Sequence, residues 1–137
     1  ADVVVLDTIG ELAQVYQLAT VVFVGGSLVD MGGHNILEPA VLGKAIVFGP
    51  HMQNFQEIAE AFLQKAAAVQ VNGPRALEDA LLELLTRPER RERIGEAARA
   101  LVEANRGARG RTLDVIAGLL PLPPAPGSKV VPFPASR

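Results

Sequence analysis

At 137 residues, 49% hydrophobic and 20% charged, the chain has the balance of a soluble globular protein and enough length for one domain with a real core. Its net charge of -2 gives no support to general nucleic-acid binding, and the lack of cysteine excludes disulfides and thiolate metal sites. No apolar run approaches the roughly 20 residues that span a bilayer, and Ala1-Asp2-Val3-Val4-Val5 has none of the layout of a signal peptide, so the chain reads as a piece of a longer protein that enters directly into a strand.

Val3-Val4-Val5-Leu6 is a short β-branched run of the kind that forms a buried parallel strand. Thr8 and Glu11 have capping-box spacing, and Leu12, Val15, Tyr16 and Ala19 then recur at helical intervals. Thr20 to Val24 is a second strand, ending in Gly25-Gly26-Ser27. A polar, glycine-rich loop runs through Gly32-Gly33-His34 into a helix that starts at Asn35-Ile36-Leu37-Glu38, carries Pro39 in its first turn and stops at Gly43. Ala45 to Phe48 is a third strand, closed by Gly49-Pro50. Phe55, Ile58, Ala59 and Phe62 share one helix face, and Ala67 to Val71 is a fourth strand. Asn72-Gly73-Pro74 turns into a helix with Leu77, Leu81 and Leu84. Pro88 and Glu89 open another that buries Ile94, Ala97, Ala98 and Leu101 and exposes a balanced Arg/Glu face. A last helix is predicted from about Arg111 to Leu120, and the tail 121–137, with six prolines, is expected to be extended or disordered.

Strands alternating with helices over short connections predict right-handed βαβ units, hence a Rossmann-like parallel sheet flanked by helices over residues 1–120. Four strands fall short of the usual six or so, and the remainder is expected upstream of Ala1.

Ligands of open α/β sheets bind beyond the carboxyl ends of the strands. Three segments fit that place: Asp7 to Glu11, Gly25 to Glu38, and Gly49 to Asn54. In the middle one, Gly25 and Gly26 let backbone approach a ligand closely, and Gly32 and Gly33 precede a helix start, where free amides and the helix dipole favour a phosphate. Glu38, one turn in, has the chemistry to accept hydrogen bonds from ribose hydroxyls, or to close a capping box on Asn35. Asn35 and Asn54 each fit a cap or a ligand contact. Ser27 can donate to a phosphate or satisfy the loop's own backbone. Neither G-x-G-x-x-G nor G-K-[ST] is present, so dinucleotide and P-loop chemistry lose their best support. Two histidines far apart in sequence give no metal site, and no cofactor is expected.

Asp7-Thr8-Ile9-Gly10-Glu11-Leu12, Val22 to Leu28, Gly32-Gly33-His34-Asn35-Ile36-Leu37-Glu38-Pro39-Ala40 and Phe48-Gly49-Pro50-His51 with Asn54-Phe55 together resemble the 3-deoxy-D-manno-octulosonic acid (Kdo) transferases, over roughly Asp2 to Val71. The resemblance implies a GT-B glycosyltransferase in which this chain is part of the C-terminal half, binding the donor CMP-Kdo. It makes Gly25, Gly26, Ser27, Gly32, Gly33, His34, Asn35 and Glu38 the nucleotide-sugar site, with His34 on a phosphate or the sugar carboxylate. It also implies an N-terminal half, absent here, that carries a membrane anchor and the carboxylate base and binds lipid A precursor, placing the parent at the cytoplasmic face of the bacterial inner membrane. No catalytic residue is then expected in this chain, which should be inactive alone. The remaining alternatives are another GT-B enzyme, such as a UDP-sugar transferase or epimerase, and a non-catalytic binding module.

Overall fold

The structure is a computed structural model describing residues 2–119, with side chains described through Gly107. The tail 121–137 lies outside the described residues. The elements are α1 (Leu12–Leu18), β1 (Val21–Phe23), α2 (Leu37–Val41), β2 (Ala45–Phe48), a 3-10 turn (Gln53–Phe55), α3 (Gln56–Gln64), β3 (Val69–Gln70), α4 (Pro74–Thr86) and α5 (Pro88–Leu119).

The three strands form one sheet in the order β1-β2-β3, parallel throughout. Val21, Val22 and Phe23 pair with Ala45, Ile46 and Val47, and Val47 and Phe48 pair with Val69 and Gln70. Each step along the sheet is made through a helix, as parallel pairing requires. All four residues of β2 are buried, because helices cover both faces of the central strand. Ile46 and Phe48 point into a cluster with Ile36 and Ala40 of the α2 region, Ala59 and Phe62 of α3, and Ala98 and Val102 of α5. Ala45 and Val47 point the other way, into a cluster with Val71, Leu84 of α4 and Ile94 of α5. Strand alternation thus divides the apolar residues between two cores, and α5 serves both.

Gly95 sets how closely α5 approaches. A Cβ there would lie 2.0 Å from the Gly43 carbonyl oxygen, so the helix backbone rests directly on the turn between α2 and β2. Glycine is the one residue that permits this contact.

Two expectations need correction, and a third element forms as expected but without burial. Val3 to Leu6 forms no strand. It has no ladder partner among the described residues, and Val3, Val4 and Val5 are 80–84% exposed. β propensity supplies a strand only where a neighbouring edge pairs with it. Helix α1 forms where the spacing placed it, yet none of its residues is buried. Its carboxyl end is fastened by the Lys44 Nζ, which donates to the Gln17 carbonyl at 2.9 Å. Finally, no separate helix begins at Arg111: α5 runs unbroken from Pro88 to Leu119, since glycines such as Gly107 and Gly110 weaken a helix by about 1 kcal/mol each without forbidding it.

Candidate functional site at the strand carboxyl ends

The Val24 amide still donates to Val47 O at 2.9 Å, so the chain leaves β1 in step with β2 before turning at Gly25 and Gly26. The loop then needs left-handed backbone three times, with φ of +70° at Gly26, +82° at Gly32 and +71° at Gly33. Its base is closed by the Gly33 amide, which donates to Gly26 O at 3.2 Å.

A second loop, following β2, locks onto the first. Ser27 is fully buried, and its hydroxyl donates to Val24 O at 2.5 Å while accepting the Gly49 N–H at 2.8 Å. The His51 amide donates to Ser27 O at 2.9 Å and the Asn54 amide to Gly32 O at 3.2 Å. A Cβ on Gly49 would meet Ser27 O at 2.2 Å, so the loops touch backbone to backbone. Above this junction the Gln53 side-chain amide donates to the Asp30 carboxylate, and His51 Nδ1 stands 3.9 Å from Asp30 Oδ1. Asp30 is exposed and tied to the neighbouring loop.

Among the described residues the amides of Gly25, Gly26 and His34 have no hydrogen-bond acceptor, and all three positions reach the surface. The loop thus offers backbone donors at the carboxyl end of the sheet, an arrangement suited to an anion. The helix dipole contributes less than the sequence suggested, because α2 has only five residues. The Asn35 side chain accepts the Leu37 amide at 3.0 Å, an Asx turn that leads into α2 just before its N-cap residue Ile36. Glu38 makes no capping-box bond back to Asn35 among the described residues, and it is exposed. The same holds at α1, where Thr8 donates to the Glu11 carboxylate itself and Glu11 occupies the cap position.

The structure separates the candidates into two places. Gly25, Gly26, Ser27, Gly32, Gly33 and His34 gather in the loop, whereas Glu38 faces elsewhere. It lines a cavity of about 620 Å³ between α2, α3 and α5, with Ile58, Phe62, Leu101 and Arg106 among the walls, and none of the loop candidates takes part. Glu38 also stands near Tyr16 of α1. Burial first, and the Glu38 carboxylate second, push the Tyr16 phenol above its usual value of 10.0. A smaller cavity, about 260 Å³, opens beyond β2 and β3, lined by Phe48, Gly49, Pro50, Met52, Gln56 and Gln70 among others. Neither cavity was readable from the sequence, since each draws its walls from elements far apart along the chain.

Residues 1–101 match the profile of the family described as Glycosyl transferases group 1. The chain is 40% identical over 115 residues to the 3-deoxy-D-manno-octulosonic acid transferase of Bordetella pertussis, which covers 84% of this chain and 27% of that protein. It is 41% identical over 115 residues to the enzyme of the same name from Haemophilus influenzae, covering 83% of this chain and 27% of that one. Among solved structures it matches the C-terminal CMP-Kdo binding domain of WaaA from Acinetobacter baumannii, at 40% identity with a TM-score of 0.67, over 71% of this chain and 51% of that one. The resemblance to Kdo transferases drawn from the motifs is borne out, and the chain spans about a quarter of the length of the curated relatives it matches.

Proposed function

The chain belongs to the group 1 glycosyl transferases, and from that premise we propose that it is the donor-binding part of a Kdo transferase, holding CMP-Kdo at the carboxyl ends of β1 and β2. The observation that carries this reading is the pair of interlocked loops that leaves the Gly25, Gly26 and His34 amides without internal acceptors at the place where α/β folds take their ligands. Those amides would bind the donor phosphate and stabilise the negative charge that grows on departing CMP, a contribution that needs donors fixed in advance. Gly32 and Gly33 shape the loop, and Asn35 holds the start of α2. Glu38, which lines the cavity between α2, α3 and α5 rather than the loop, would take the ribose hydroxyls of a nucleoside that extends from the loop past α2 toward that cavity. Transfer is direct displacement with inversion at the Kdo anomeric carbon, and the acceptor, lipid A precursor, and the general base belong to another part of the protein.

In this reading the full-length protein works at the cytoplasmic face of the inner membrane. Among the described residues no helix is long and apolar enough to cross a membrane.

Calorimetric titration of the chain with CMP, UMP and UDP tests the proposal. CMP should bind at least about tenfold more tightly than either uridine nucleotide, a gap of about 1.4 kcal/mol. Preference for UDP would move the chain to the UDP-sugar transferases or epimerases, and binding of none of the three would reject a nucleotide site.

A further inference from the structure

One buried side chain stands at the junction of the two loops. Ser27 has no exposed surface, so its hydroxyl is closed to a ligand, yet it is the only buried polar side chain among the described residues. Its position explains why. The hydroxyl bonds backward to Val24 O, at the end of β1, and forward to the Gly49 amide, at the end of β2. Its own carbonyl takes the His51 amide. Ser27 therefore joins the exits of two adjacent strands through three hydrogen bonds, and two more, Gly33 to Gly26 and Asn54 to Gly32, complete the junction.

We propose that Ser27 is a positioning residue that fastens the loop after β1 to the loop after β2, so that both move as one body and hold the free Gly25, Gly26 and His34 amides in a fixed array for the donor phosphate. The proposal rests on the donor-site reading above. Ser27 acts without touching the ligand, through the backbone that does. An alanine in its place leaves the Gly49 N–H buried without its acceptor, an arrangement that favours opening of the junction. Once the loops part, the amide array must be reassembled at each binding event, and affinity falls although no contacting group is altered.

Amide hydrogen exchange, followed residue by residue on the chain with and without CMP, provides the test. In the unmodified chain, Gly33, Gly49, His51 and Asn54 should exchange with one common opening equilibrium, as members of a single cooperative unit. In Ser27→Ala the same four amides should open about tenfold more often, while Ala67, whose amide bonds to the Phe62 carbonyl in another part of the fold, stays unchanged. CMP should bind that variant about tenfold more weakly at temperatures where it is fully folded. The unmodified chain alone decides the coupling should Ser27→Ala fail to fold. Independent opening of Gly33 and Asn54 on one hand and Gly49 and His51 on the other overturns the proposal, as does unchanged CMP affinity in a folded Ser27→Ala. If the unmodified chain does not bind CMP, the donor-site reading fails and the common opening still decides whether Ser27 couples the loops.

Discussion

Ser27 is a polar residue with no exposed surface, and Val3, Val4 and Val5 are apolar residues 80–84% exposed. The two regions invert the usual rule of burial, for one reason. Around Ser27, strands β1 and β2 and their exit loops supply partners for its hydroxyl and its carbonyl, and no buried side-chain nitrogen or oxygen among the described residues lacks a hydrogen bond. Before β1, the chain has apolar side chains but no surface within the described residues to receive them. Leu18 of α1 is as exposed, and Leu12 and Val15 are about half so. Burial belongs to a residue's partners as much as to its own hydrophobicity, and substitutions on the two sides of this contrast should behave accordingly.

The largest effect is expected in the sheet. Phe48→Ala removes a fully buried ring of β2 from the cluster it forms with residues of the α2 region, α3 and α5, and should cost about 3–5 kcal/mol by chemical denaturation. Gly95→Ala should cost about 1–3 kcal/mol, since its Cβ would force α5 away from the Gly43 carbonyl. Next comes Asn35→Ala, which removes the acceptor for the Leu37 amide and should lower stability by about 1 kcal/mol in the same assay. Leu18→Ser should change stability by no more than about 0.5 kcal/mol. A loss at Leu18 as large as that at Phe48 would show that α1 is packed in solution and would break the contrast.

Glu38 sharpens it, because this exposed residue bonds to no cap. Glu38→Ala in the full-length protein should leave the melting temperature nearly unchanged and lower donor kcat/KM about tenfold, the loss expected for charge-assisted bonds to a ribose. A destabilised variant with normal donor kinetics would instead assign Glu38 a structural role. The smallest effect is spectroscopic. Tyr16 is the chain's one tyrosine, and tryptophan is absent, so ultraviolet titration reports it alone. Glu38→Gln should lower the Tyr16 midpoint while burial keeps it above the ordinary value of 10.0. Because the folded phenol titrates above the unfolded one, its contribution to stability is complete below about pH 10 and is lost as pH rises through the folded midpoint.

Legibility from the sequence follows the same division. The run Ala45 to Phe48 gave β2 to the residue, because a strand covered on both faces is apolar at every position. The helix of Phe55, Ile58, Ala59 and Phe62 was equally plain, since its one buried face repeats at helical spacing. Val3 to Leu6 carried as strong a pattern and misled, because pairing is a property of the neighbour. The glycine loop was found through its motif. The use of the Ser27 hydroxyl could not be, since its partner Gly49 is 22 residues away and becomes adjacent only when β1 and β2 pair. For the same reason the sequence placed Glu38 with the glycines, whereas the fold turns it toward the cavity between α2, α3 and α5.

That separation makes the location of the nucleotide the decisive question, and amide chemical-shift mapping of the chain during titration with CMP answers it. With the donor phosphate on the glycine loop, Gly25, Gly26 and His34 should shift first and most, with Gly49 and His51 following as the coupled loop responds. Shifts confined to Ile58, Leu101 and their neighbours around the 620 Å³ cavity, with the glycine loop unmoved, would rule out a donor site at that loop.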